Sequence, residues 1–171
     1  MRTLTILICT HNRRALLEKV LTSLDGVRIP PALKVDVLVM ANACSDDTLS
    51  FLAGHEGTLP LRFDHEPRPG KSHALNRALA MTSSDFVAFV DDDHRVDAAY
   101  LEALCAAFDS ASAPDLVCGR ILPDWDGSEP DWVHESGRYR IYPLPVPRFE
   151  LGDMAGPITS AKGIPGGGNL A

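Results

Sequence analysis

The chain has 171 residues, 45% of them apolar and 23% charged, with a formal net charge of −7. This suits one soluble domain with a real core. An acidic balance argues against a nucleic-acid coat or a polybasic membrane patch, and no apolar stretch reaches the ~18 residues of a membrane span.

The predicted elements alternate between strand and helix. The apolar run Leu4 to Cys9 is too short for a secretory leader and lacks a small-residue cleavage site, so it reads as a first strand. A helix follows, with Asn12 as its expected N-cap and Leu16, Leu17, Val20, Leu21 and Leu24 on one face, ended by Asp25-Gly26. The second strand is Val35 to Met40. Ser45-Asp46 then caps a short helix carrying Leu49 and Leu52. A third strand, about Leu61 to His65, leads through Pro67-Arg-Pro-Gly70 into a helix expected to bury Ala74, Leu75, Ala78 and Leu79. Phe86 to Val90 is the fourth strand. The next helix carries Tyr100, Leu101, Leu104, Cys105 and Phe108, and a fifth strand is expected at about Leu116 to Leu122. Strand–helix units in series predict an α/β fold with a doubly wound, mostly parallel sheet flanked by helices.

After Leu122 the character changes. The segment from Pro123 to Pro165 is rich in proline, holds Trp125, Trp132 and Tyr139, and shows no periodicity. It reads either as a long functional loop or as a partly mobile segment. Gly166-Gly-Gly-Asn-Leu-Ala171 looks like the opening of another strand, so the fold is expected to be truncated at its C-terminus. The four cysteines form no C-x-x-C pair; Cys9, Cys105 and Cys118 sit in apolar runs and read as buried thiols. A reducing cytoplasm is the expected location, with peripheral attachment to the inner membrane face left open.

In an open parallel sheet, ligands bind beyond the carboxyl ends of the strands. The four strands end in Thr10-His-Asn-Arg13, Ala41-Asn-Ala-Cys-Ser-Asp46, His65-Glu-Pro-Arg-Pro-Gly-Lys71 and Asp91-Asp-Asp-His94, so four polar segments converge on one edge. Three adjacent carboxylates repel one another unless a hard cation sits among them. Alternation along extended chain lets Asp91 and Asp93 face one ligand together, with Asp92 turned aside or bonded to a ribose. The expected ion is Mg²⁺ or Mn²⁺, with His94 as an extra candidate ligand. Arg13, Arg14 and Lys71 open helices against the dipole, which suggests an awaited anion; Arg13 or Lys71 is expected at a pyrophosphate. Gly70-Lys71-Ser72 is no P-loop, because His65 stands where that motif needs glycine. His11, His55, His73 and His134 lack metal-ligand spacing.

Cys9-Thr-His-Asn-Arg13, Asn42-Ala-Cys-Ser-Asp-Asp-Thr48, Gly70-Lys-Ser-His-Ala-Leu-Asn76 and Asp91-Asp-Asp93, in that order, resemble family 2 glycosyltransferases, the inverting group with the GT-A fold. The resemblance runs from about residue 3 to 122, with an echo at Gly166 to Ala171. It implies a nucleotide-sugar-binding α/β domain over 1–122, then an acceptor-side loop and the start of a further strand of the same domain over 123–171. Thr10, Asn12, Arg13, Asn42, Lys71, Asp91 and Asp92 would bind the nucleotide sugar. Thr10 would lie by the base, Asp91 or Asp92 at the ribose, and Asp93, with Asp91, at the metal. The activity implied is transfer of a sugar from a nucleotide-diphosphate sugar, a UDP-sugar being favoured, to a glycan or lipid-linked hydroxyl with inversion. Ala41 stands where the family usually carries a base-contacting aspartate. The family's catalytic base is expected beyond residue 171, and Glu150 and Asp153 have nothing to place them in that role. The alternatives are a binding fragment without turnover and, more remotely, a receiver-type signalling domain. In the second case the acidic pocket would follow strand one, where Thr10-His11 stands.

Overall fold

The computed structural model describes residues 1–134, 148–158 and 168–171. Its elements are β1 (Arg2–Thr10), α1 (Arg14–Asp25), β2 (Leu33–Asn42), α2 (Thr48–Ala53), β3 (Leu61–Glu66), α3 (Lys71–Ala80), β4 (Phe86–Val90), α4 (Tyr100–Phe108) and β5 (Asn169–Leu170). Among the described residues the sheet runs β3-β2-β1-β4-β5. β1 pairs in parallel with β2 and β4, and β2 with β3, while β5 is antiparallel to β4. The mostly parallel, doubly wound α/β class is therefore observed.

Period-2 side chains dress the two sheet faces differently. Leu4, Ile6 and Ile8 of β1 pack with Leu17, Val20 and Leu24 of α1, Leu52 of α2, and Leu101 and Leu104 of α4. Leu7, Leu38 and Met40 face the other way, onto Ala74 and Ala78 of α3. The small alanines let α3 lie close to the sheet. Leu16 and Leu79, expected inside, sit at the margins of their helical stripes and are exposed.

Four other expectations are corrected. Arg13 is the N-cap of α1, and Asn12 precedes it in a left-handed turn at φ 51°. Asparagine tolerates that conformation because its short amide bonds locally. The α2 N-cap is Asp47; Asp46 still serves the helix start, its Oδ1 accepting the Thr48 N–H at 3.2 Å. No strand forms over 116–122. Instead Val117 exchanges two backbone hydrogen bonds with Ala171, at 2.7 and 2.8 Å, and Ile121 bridges to Phe149. An exposed Leu116 and no alternation leave that stretch without a face to bury. Cys9, Cys105 and Cys118 are half-buried free thiols, like Cys44.

The described chain forms two compact units: Met1–Val117 with Gly167–Ala171, and Cys118–Gly166. Within the second, Trp125 meets His134 edge-on at 4.9 Å between ring centroids. Arg120 binds Glu150 at 3.2 Å and Asp153 at 3.0 Å. Tyr139, Gly166 and Gly167 lie outside the described residues. No helix among the described residues is long and apolar enough to cross a membrane.

Candidate functional site

The chain winds outward from β1 through β2 to β3, then returns to place β4 on the other side of β1. Such a reversal leaves a crevice at the carboxyl ends of the strands. A cavity of about 350 Å³ opens there, lined from β1 by Cys9, Thr10, His11 and Arg13, from β2 by Asn42, from the β3–α3 turn by Pro69, Gly70 and Lys71, and from β4 by Asp91, Asp92 and Asp93.

The acidic wall is partly neutralised. Lys71 Nζ lies 2.5 Å from Asp91 Oδ1. Arg13 reaches Asp92 at 3.2 Å and Asp93 at 3.6 Å. Asp92 is buried, whereas Lys71, Arg13 and Asp93 are about half exposed. Three carboxylates against two cations leave the wall one charge negative. A diphosphate would be repelled by it, and one divalent ion would reverse the sign. Asp91, Asp93 and His94 each offer a ligand atom, all within 4.8 Å of one another. This mixed carboxylate–imidazole set fits a small divalent cation.

Thr10 supplies a different signal. It is buried, and its Oγ1 has no hydrogen-bond partner among the described residues. Buried hydroxyls are normally satisfied, so this one is an exception in a residue that lines the cavity. Cys9 beside it is pushed up to about 11 by burial, which keeps it a neutral thiol.

Asn42 holds the cavity together. Its Nδ2 donates to the carbonyls of Glu66, at 3.2 Å, and Arg68, at 2.7 Å, and its Oδ1 accepts the Gly70 N–H at 2.8 Å. One amide thus ties β2 to the β3–α3 turn. Gly70 sits at φ 127°, which a side chain would resist, and directly precedes α3. Lys71, the first residue of α3, is thereby set opposite Asp91. Glu66, buried at the end of β3, takes a two-pronged ion pair from Arg68 at 2.9 and 3.1 Å, which draws its carboxyl down to about 2.

The structure thus gathers Thr10, Arg13, Asn42, Lys71, Asp91, Asp92 and Asp93 around one cavity. It does not bring Asn12 there. That amide oxygen accepts the Ser45 and Asp46 N–H groups at 2.7 and 3.2 Å, pinning the β2–α2 loop. His11 is an addition. Metal-ligand spacing set it aside, yet it lines the cavity with its Nδ1 donating to the Asn42 carbonyl at 2.6 Å. Its place next to Thr10 at a strand's carboxyl end was the available signal. Glu150 is drawn below its ordinary value by hydrogen bonds from Arg148 and then Arg120, which lowers its basicity.

Comparison with known proteins identifies the family and the fold. The S. aureus TarS 1-349 structure in complex with UDP-GlcNAc is 25% identical, with a TM-score of 0.58 over 72% of this chain and 37% of TarS 1-349. A mannosyltransferase from Pyrobaculum calidifontis, in complex with GDP-Man and Mn²⁺, is 26% identical, with a TM-score of 0.57 over 63% of this chain and 32% of its own. The succinoglycan biosynthesis protein ExoM of Rhizobium meliloti (strain 1021) is 26% identical over 139 residues, 80% of this chain and 44% of ExoM. The chain therefore spans less than half the length of these relatives. Residues 5–164 match the family model for glycosyl transferase family 2, and the chain belongs to that family.

Proposed function

We propose that this domain binds a nucleotide-diphosphate sugar at the β1/β4 crevice, with a divalent cation, and serves sugar transfer to an acceptor hydroxyl with inversion. The observation that carries the reading is the cavity wall: Asp91, Asp92 and Asp93 faced by Lys71 and Arg13, with the unpartnered Thr10 hydroxyl beside them. The Mn²⁺ and nucleotide sugars bound by the two solved relatives support it.

Thr10 takes a polar edge of the base, and Asp92 or Asp91 takes the ribose hydroxyls. Asp91 and Asp93 hold Mg²⁺ or Mn²⁺. When bound, the ion neutralises charge on the diphosphate as it departs. Lys71 and Arg13 are half exposed and free to swing from carboxylates to phosphate oxygens. Asn42 acts as a positioning residue, because its amide is engaged with the turn that presents Lys71. The acceptor oxygen attacks the anomeric carbon opposite the leaving diphosphate while a base takes its proton. Glu150 and Asp153, paired with Arg120, are not assigned that role. With Ala41 at the end of β2, the wall carries no carboxylate there to select uracil, so a UDP-sugar is favoured on the TarS likeness alone. The acceptor is a glycan or lipid-linked hydroxyl, and the free thiols suit a reducing compartment.

Calorimetry with UDP, GDP and their sugars, with and without Mn²⁺, tests this. Metal-dependent binding of one nucleotide, lost in Asp93→Asn, is expected. No heat from any nucleotide in the presence of Mn²⁺ refutes it. Binding without turnover on any acceptor would point instead to a binding fragment.

A further inference from the structure

We infer that His94 is the nitrogen ligand of the metal centre and that it biases the site toward Mn²⁺ over Mg²⁺. The inference rests on the nucleotide-sugar reading and adds to it a third ligand and the choice of ion.

The ring is already oriented for this role. His94 Nδ1 lies 2.9 Å from the Gly168 carbonyl oxygen. A carbonyl only accepts, so the proton belongs on Nδ1. In the neutral ring the lone pair is then on Nε2. Nε2 lies 3.9 Å from Asp93 Oδ1 and joins Asp91 and Asp93 in the three-residue cluster. Metal-bound histidines commonly donate their other N–H to a carbonyl in this way, which sets ring orientation and raises ligand basicity.

The tail of the chain enforces the arrangement. Gly168 is buried, just before β5, which pairs antiparallel to β4. A Cβ at 168 would collide with the His94 ring and come within 2.6 Å of Asp91 Oδ2. The bare backbone therefore packs on two of the three ligands at once. The consequence for the ion follows from donor chemistry. Both ions take carboxylates, but Mg²⁺ holds to near-ideal octahedral oxygen geometry and sheds water reluctantly, so a fixed imidazole nitrogen costs Mg²⁺ more than Mn²⁺.

The test is pulsed EPR on the full chain with Mn²⁺ and UDP. Wild type should show ¹⁴N modulation from a directly bound imidazole. His94→Gln should lose it while Mn²⁺ stays on the carboxylates, with the Mn²⁺ dissociation constant rising about tenfold or more and that for Mg²⁺ changing little. His11→Gln, in the same cavity, should keep the modulation. Gly168→Ala, which retains the histidine, should also weaken Mn²⁺. If His94→Gln does not fold, the wild-type and His11→Gln spectra still decide. Bound Mn²⁺ without ¹⁴N modulation in wild type, or modulation persisting in His94→Gln, overturns the inference and leaves the nucleotide-sugar reading intact. That outcome would make His94 an ion-pair partner of Asp93. Failure of Mn²⁺ to bind at all, with or without UDP, overturns both.

Discussion

Replacing Thr10 with valine should stabilise the unliganded domain and weaken its nucleotide affinity, two effects of opposite sign from one atom. Thr10 is 2% exposed, and its hydroxyl has no partner among the described residues. Valine matches its shape and suits a strand, so no cavity forms. A buried, unpaired hydroxyl costs about 1–3 kcal/mol. Removing it should return roughly 1–2 kcal/mol, which at ~2–4 °C per kcal/mol for a domain of this size raises the melting temperature by about 2–8 °C. If the base occupies that hydroxyl in the complex, one hydrogen bond worth about 0.5–1.5 kcal/mol is lost, a roughly 2- to 12-fold weaker dissociation constant. Differential scanning calorimetry with and without nucleotide, alongside isothermal titration, reads both quantities. The variant should melt higher alone and gain less from ligand. A Thr10→Val protein that melts lower than wild type and binds nucleotide equally well would show that the hydroxyl is satisfied internally and serves no ligand.

Lys71→Ala should weaken nucleotide binding far more than it shifts the melting temperature, because an exposed ion pair contributes about 0–1 kcal/mol; Mn²⁺ alone should bind as well or better once Asp91 loses its cation, and calorimetry separates the two. Asn42→Ala deletes three hydrogen bonds at a buried junction and should cost about 2–4 kcal/mol in urea unfolding. Asn42→Asp should fare no better, since a carboxylate would face the Glu66 and Arg68 carbonyls; a wild-type midpoint in either variant would contradict the hub role. Glu66 is held at about 2 by Arg68, below its ordinary value of 4.5. A depressed carboxyl contributes stability that is complete above its unfolded value and lost as pH falls toward its folded one. Stability should therefore sag between about pH 4.5 and 2, and Arg68→Met should flatten that slope in acid titrations followed by circular dichroism.

Much of the architecture was legible from residue order. The 3.6-residue stripe Leu17, Val20, Leu21, Leu24 and the apolar runs of β1, β2 and β4 are short-range patterns that read without tertiary context, and alternation of strand with helix implied parallel pairing. Parallel pairing in turn put Thr10, Asn42, Lys71 and Asp91 on one edge, since every parallel strand ends on the same side. Other features were out of reach. Asn12 looks like a helix cap locally, yet its oxygen is taken by amides 33 and 34 positions away. Asn42 looks like a base-reading amide, yet its groups are engaged 24 to 28 positions along the chain.

Composition and periodicity, then, were enough to determine the fold class and the edge on which chemistry gathers, because burial patterns depend on neighbours within a turn or a pleat. Only the folded chain decided which polar atoms remain available on that edge. A side chain's hydrogen bonds are allotted by loops that meet through sheet register, and it is this allotment that engages Asn12 and Asn42, leaves the buried Thr10 hydroxyl without a partner among the described residues, and turns the His94 ring toward Asp93 through a carbonyl 74 residues away.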